Sequence, residues 1–164
     1  MSCDKRMSLQ EAVLKRIDLA REGKTLVVTN GCFDLLHAGH MYYLRRAAAQ
    51  GSCLYVLLNS DESVQKLKGP SRPIIPANDR AYQLSCLYFV DGIITFPSTN
   101  CAHLISCLKP DVYVKGGDYN SNNIHPEEKK ALDEVNARIE FVPLMPGYST
   151  TALIEKIIKS ANQP

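Results

Sequence analysis

The chain has 164 residues, of which 45% are apolar and 22% charged, with a formal charge of +2. That is the length of one domain and the composition of an ordinary globular protein. The charge is too small and the Lys and Arg residues too dispersed for a nucleic-acid surface, and the longest apolar run, Cys53–Leu58, is far short of a membrane span, so neither kind of partner is expected.

Ser8-Leu9-Gln10-Glu11 has the capping-box pattern, and Leu9, Ala12, Val13, Ile17 and Ala20 recur at helical spacing until Gly23. Thr25–Thr29 reads as a short buried strand, Met41–Gln50 as a helix and Cys53–Leu58 as a second strand. Asp61–Leu67 reads as a short helix ahead of a Pro- and Gly-containing loop, Lys68–Pro76. Asn78–Phe89 is helical, Gly92–Phe96 a strand, Cys101–Leu108 a helix, and Asp111–Lys115 a strand running into Gly116-Gly117. Glu127–Asn136, Ile139–Pro143 and Thr150–Lys159 read as helix, strand and a last amphipathic helix. Strands and helices alternate, and the strands are almost continuously apolar. That is the pattern of an α/β fold, a doubly wound parallel sheet with helices on both faces. Residues 1–24 form an N-terminal helix and 25–164 the single Rossmann-like domain, with ligands expected at the carboxyl ends of the strands.

Six cysteines (Cys3, Cys32, Cys53, Cys86, Cys101, Cys107) include no CxxC pair, and Met1–Arg6 is polar rather than signal-like. Reduced thiols and a cytoplasmic location are the default. Gly23-Lys24-Thr25 imitates the end of a P-loop, but Asp18 stands where that loop needs glycine and a strand follows instead of a helix. No GxGxxG follows the first strand. Cys32, His37 and His40 lack a fourth zinc ligand at any standard spacing, so no metal site is assigned to the protein.

The segment after the first strand is Asn30-Gly-Cys-Phe-Asp-Leu-Leu-His-Ala-Gly-His40. Gly31 and Gly39 allow close backbone approach. His37 and His40, three residues apart, share one face of a first helical turn, where unpaired N–H groups and the positive helix end already favour an anion. Two imidazoles added to that end make a phosphate site whose grip strengthens as charge develops.

GCFDLLHAGH resembles the signature loop G-x-F-D-x-x-H-x-G-H of the cytidylyltransferase-like branch of the HxGH nucleotidyltransferase superfamily. Asn59-Ser60-Asp61, Leu67-Lys68-Gly69, Arg72-Pro73, Arg80, Val90-Asp91, Pro110-Asp111, the KGGDY stretch Lys115–Tyr119 and the GYSTT stretch Gly147–Thr151 fall in the family's order, covering nearly the whole chain from residue 25. The set is most similar to the branch that makes ADP-heptose from ATP and heptose 1-phosphate. Glycerol-phosphate cytidylyltransferases have Thr-Phe-Asp at Cys32-Phe33-Asp34 and lack KGGDY.

The resemblance implies transfer of AMP from ATP to a sugar 1-phosphate with release of pyrophosphate, in the synthesis of a lipopolysaccharide precursor. It implies catalytic roles for His37, His40 and Lys68, with Lys68 on a flexible loop reaching the β- or γ-phosphate. Nucleotide contacts fall to Gly31, Cys32, Phe33, Gly39, Arg80, Gly117, Asp118, Ser149, Thr150 and Thr151, and acceptor contacts to Asn59, Asp61 and Arg72. Mg²⁺ is expected to travel with the nucleotide, since the sequence offers no dense carboxylate cluster. A homo-oligomer is implied by the family alone, and a separate kinase is expected to supply the phosphorylated sugar. Two alternatives stay open: CTP with a polyol or amino-alcohol phosphate such as glycerol 3-phosphate, and a non-catalytic nucleotide-binding regulator.

Overall fold

A computed structural model describes residues 4–117 and 123–162. The described residues form twelve elements, in chain order α1 (Leu9–Arg21), β1 (Leu26–Gly31), α2 (Ala38–Ala48), β2 (Cys53–Asn59), α3 (Asp61–Lys68), α4 (Ala77–Ser85), β3 (Gly92–Phe96), α5 (Ala102–Leu108), β4 (Val112–Gly116), α6 (Pro126–Glu134), β5 (Arg138–Val142) and α7 (Thr150–Ala161). The five strands form one sheet in the order β3-β2-β1-β4-β5, and every pairing is parallel. The chain moves outward from β1 to β3, then returns to β1's other side with β4. The order therefore reverses between β1 and β4, and the carboxyl ends of those two strands open the crevice where such folds take ligands.

Period-two alternation sorts the strand residues between two cores. Leu26, Val28, Tyr55, Leu57, Ile94 and Tyr113 face α1, α5 and α6 through Ala12, Leu104, Ile105, Leu108, Ala131 and Leu132. Val27, Leu54, Val56, Leu58, Val112 and Val114 face α2 and α4 through Tyr43, Leu44, Ala47, Ala81 and Leu84. Both faces of β2 are covered along its whole length, which is why Cys53–Asn59 reads as an unbroken apolar run.

The capping box forms at the start of α1: Ser8 Oγ accepts from Glu11 N–H, and Glu11 Oε2 accepts from Ser8 N–H. The N-terminal residues do not stand apart from the domain. Ala12 is fully buried, and the segment before α1 pairs with β3 through Met7 N–H to Ile93 O and Ile93 N–H to Lys5 O, both 3.0 Å. That pairing covers the sheet's β3 edge, and nothing in the polar run Met1–Arg6 signals it. Asp91 and Asp111, each just ahead of a strand, accept the otherwise unpaired N–H groups of Leu54 and Leu26 at 2.8 and 2.7 Å.

Three boundaries differ from the sequence reading. α2 starts at Ala38, so Gly39 and His40 lie inside its first turn and His37 is its N-cap. α4 ends at Ser85 rather than running to Phe89. Lys68 is the last residue of α3, not part of a loop, and the chain turns away after it at Gly69 with φ +99°.

Candidate functional site

A cleft of about 640 Å³ lies over the carboxyl ends of β1 and β4. Its volume suits a small-molecule ligand. The loop from β1 to α2 forms its floor. A Cβ on Gly31 would stand 2.9 Å from the Phe33 ring, so only glycine lets the loop fold back onto the strand end. Phe33 and Leu35 both adopt left-handed backbone, at φ +47° and +51°. Such conformations persist only where surrounding bonds over-determine them.

The bonds that do so converge on Asp34, 1% exposed between the two. Its carboxylate accepts from Ile74 N–H, Ile75 N–H and Arg72 Nε at 2.9, 2.9 and 2.7 Å. Burial alone would raise its carboxyl pKa, but those donors outweigh it and hold the group below the usual carboxylate range. Thr150 Oγ1 donates to Asp34 O at 2.9 Å, tying the start of α7 to the same loop.

His37 and His40 stack with ring centroids 3.9 Å apart and planes 22° from parallel. His40 also meets the Phe33 ring edge-on at 5.6 Å, and Tyr148 stands 6.3 Å from His37. Gly39 lies between, and a Cβ there would come within 2.9 Å of Tyr148 Cβ and 3.0 Å of His37 Cε1. Both nitrogens of His37 and Nδ1 of His40 are buried without a hydrogen-bond partner. Burial lowers both imidazole pKa values, that of His40 to about 4 with a further push from His37. The free site thus holds two neutral imidazoles beside the unpaired N–H groups of a helix start.

Lys68 and Arg72 line the same cleft. Arg72 uses Nε on Asp34 and leaves its two terminal nitrogens unengaged among the described residues. Gly31, Cys32, Phe33, Gly39 and Asn59 also line the cleft, as do Ser149, Thr150 and Thr151. Two of those three hydroxyls already have structural work, Ser149 capping Ala152 N–H and Thr150 bonding Asp34 O, which leaves Thr151. Asn59 is 2% exposed and donates to Ser63 Oγ. Burial pushes the Cys32 thiol pKa up, against a reactive thiolate. No three His, Cys, Asp or Glu side chains among the described residues converge as a metal site.

Three expected contacts are corrected. Arg80 does not reach the cleft: it is fully buried and donates to Ile75 O, Cys32 O, Asn59 O and Asp61 Oδ1. Its guanidinium cross-links the ends of β1 and β2 to the following loop instead of holding a nucleotide phosphate. Asp61 is engaged by the same guanidinium and does not line the cleft, so it is not placed to bind an acceptor. Gly117 also stands outside the lining, and its bare Cα serves packing, since a Cβ would meet Pro143 Cα at 2.7 Å. Asp118 lies outside the described residues.

Sequence reasoning missed the opposite wall. Asn30, Lys115 and Glu128 line it, with His125 and Asn123 at its rim. Lys115 and Glu128 are 6% and 3% exposed and form an ion pair at 3.0 Å. Lys115 was legible as a charge at the carboxyl end of a buried strand. Glu128 was not, because on α6 it looks like one more surface acid.

A cytidylyltransferase-like family model matches residues 28–156. The chain is 41% identical to a bifunctional protein HldE of Syntrophotalea carbinolica over 98% of its length, and 47% identical to a bifunctional protein HldE of Geotalea uraniireducens over 82%. It covers 32% and 27% of those proteins, so it spans about a third of the curated relatives it matches. Among solved structures, a lipopolysaccharide core biosynthesis protein from Thermoplasma volcanium superposes with a TM-score of 0.60 at 27% identity, covering 75% of this chain and 98% of that one. Pantoate-beta-alanine ligase from Francisella tularensis shares the fold, with a TM-score of 0.56 at 13% identity over 97% of this chain and 79% of its own.

Two outcomes follow from the site's geometry. Replacing Arg80 by Met should strand the buried Asn59 carbonyl and the partly buried carbonyls of Cys32 and Ile75 and cost about 3 kcal/mol, since each unsatisfied group costs roughly 1–3. A thermal melt should show it as a fall of several degrees; a variant that melts normally but loses nucleotide affinity would restore Arg80 to direct ligand contact. The histidines set a pH dependence. With folded pKa values below the ordinary 6.5, the unfolded chain binds more protons as pH drops, so stability should fall between about pH 6.5 and 4 and level off below. His40→Gln should flatten that slope in denaturant titrations, and an unchanged slope would mean His40 is not held neutral.

Proposed function

Because the chain belongs to the cytidylyltransferase-like family, we propose that it transfers AMP from ATP to a heptose 1-phosphate, giving ADP-heptose and pyrophosphate. The observation that carries the reading is the stacked His37/His40 pair, with three buried ring nitrogens lacking partners at the start of α2 and the cations Lys68 and Arg72 in the same cleft. Desolvated ring nitrogens with nothing to bond are costly, and each ring N–H among them needs an acceptor from a ligand. Phosphate oxygens supply one. The similarity to a lipopolysaccharide core biosynthesis protein, and the KGGDY and GYSTT stretches, support the heptose acceptor over a polyol.

The chemistry asks little of the protein beyond placement. A phosphate ester's second pKa is near 6, so the attacking oxygen is already mostly ionised at neutral pH and no general base is required. One acceptor phosphate oxygen forms a bond to the α-phosphorus while the bond from that phosphorus to the bridging oxygen breaks, and pyrophosphate leaves. His37 and His40 donate N–H groups to α-phosphate oxygens, and the bond strengthens as charge gathers there. Lys68 and Arg72 offset charge on the departing pyrophosphate.

Mg²⁺ carried with the nucleotide would supply positive charge that offsets the charge of the phosphates. The donor set fits an ion carried by the nucleotide: Asp34 is fully engaged and Glu128 is paired with Lys115, so neither carboxylate is available as a dedicated ligand. The proposed site of action is the cytoplasm; no helix among the described residues is long and apolar enough to cross a membrane. A homo-oligomer is supported by α7, which has no buried residue and leaves Ile157 and Ile158 more than half exposed.

A matrix of four nucleoside triphosphates against sugar and polyol phosphates, read as pyrophosphate release, tests the assignment. ATP with heptose 1-phosphate should exceed CTP with glycerol 3-phosphate by at least about a hundredfold in kcat/KM, a modest part of what hydroxyl-reading sites achieve. If CTP is the better donor the heptose assignment falls, and no turnover with any pair would favour a nucleotide-binding regulator. Lys68→Ala should raise the KM for ATP or slow turnover while leaving AMP affinity nearly unchanged. Equal losses for AMP and ATP would place Lys68 away from the leaving group.

A further inference from the structure

The wall beneath β4 and α6 takes no part in the transfer steps above, yet it holds a buried polar cluster. Asn30 Oδ1 accepts from Lys115 Nζ and from the Tyr113 hydroxyl, each at 2.9 Å. Glu128 Oε1 accepts from Cys101 N–H at 3.1 Å and from the Cys101 thiol at 3.2 Å, while Oε2 stands 3.0 Å from Lys115 Nζ.

The orientation of Asn30 follows from the chemistry of its neighbour. An ammonium has no lone pair, so the amide atom facing Lys115 must be the oxygen. With Oδ1 engaged twice, the NH₂ group is turned away from the cluster, and it donates to no group among the described residues. Glu128 is equally unspent at one atom. Its Oε2 pairs with Lys115 Nζ at 3.0 Å and keeps a lone pair able to accept from a further donor. Both residues line the cleft. The wall therefore offers one donor and one acceptor, set side by side around a shared cation. A phosphate oxygen can use the donor but is repelled by the carboxylate. A hydroxyl uses both, accepting from Asn30 and donating to Glu128.

We propose that Asn30 and Glu128, oriented by Lys115, form a subsite for a hydroxyl group of the acceptor, so that this wall selects a polyhydroxylated phosphate ester over bare phosphate. The proposal rests on the transfer reading above and adds the residues that read the acceptor.

Asn30→Asp is the informative variant, because it keeps the side chain's size and the oxygen that Lys115 and Tyr113 bond while removing the donor. It should raise the acceptor KM by about tenfold or more with the ATP KM within about twofold, the split expected of a group that touches only the acceptor. Calorimetric titration with a non-hydrolysable ATP analogue bound should show heptose 1-phosphate binding at least about tenfold more tightly than inorganic phosphate, with the variant narrowing that gap. Equal rises in both KM values, or an unchanged gap, would overturn the subsite. On the unmodified protein, at least one monodeoxy analogue of the acceptor should lose affinity to a similar degree; if all bind like the parent, the subsite is also overturned. If the enzyme instead turns over a polyol phosphate with CTP, the heptose reading fails, and the same titration with that polyol phosphate against inorganic phosphate still decides the subsite.

Discussion

The site depends on one carboxylate. Asp34 sits between two residues in left-handed backbone, and each of those conformations costs roughly 1–3 kcal/mol for a non-glycine residue. The loop that carries both histidines could not hold that shape alone. Three donors from the segment after α3, Ile74 N–H, Ile75 N–H and Arg72, fix the carboxylate, and Thr150 fixes its backbone carbonyl. Arg80 makes a second tie by gripping Cys32 O, Asn59 O and Ile75 O together. One loop is thereby locked to β2, to the segment before α4 and to the start of α7. Such placement is what in-line displacement between two anions requires, because the barrier is lowered by geometry and charge rather than by proton transfer.

The same network settles the electrostatics. A cleft for two phosphorylated substrates should present donors and cations without competing anions. Among the described lining residues the acidic ones are Asp34 and Glu128, and both are neutralised, by Arg72 with two backbone N–H groups and by Lys115. The imidazoles stay neutral because burial disfavours a proton on either, and His37 adds to that effect at His40. Incoming phosphate reverses that balance, since an adjacent anion favours the imidazolium. Affinity is then linked to proton uptake below neutral pH, without a dedicated acid or base.

Much of this was legible in the chain. Continuous apolar strands alternating with helices gave the doubly wound sheet, and Gly31 and Gly39 with the two histidines marked the carboxyl end of β1 as the candidate site. What escaped was non-local. Arg80 looks like a phosphate ligand because a lone arginine in a helix carries no sign that four oxygens from three segments will surround it. Glu128 looks solvated because burial of its face depends on α6 packing against β4 and α5. The β3 edge pairing of Lys5–Met7 follows from tertiary docking of α1, not from local propensity. Phe33 and Leu35 would not be assigned positive φ by any residue preference, and only the Asp34 bonds explain them.

The parity of β1 divides the cleft into two walls. Successive residues of a strand point to opposite faces. Gly31 opens toward the α2 face, where the histidines stand. Asn30, one residue earlier, points to the face of α5 and α6, where Tyr113, Lys115 and Glu128 meet it. The two walls therefore carry different chemistry for a backbone reason: one ends in a bare glycine beneath a helix start, the other in an amide wired to a buried ion pair. The reversal of strand order between β1 and β4 joins these walls over one crevice. In the transfer proposed above, an anion held by α2 and a hydroxyl-bearing partner held by β4 would meet at the end of a single strand, where two adjacent residues face opposite sides.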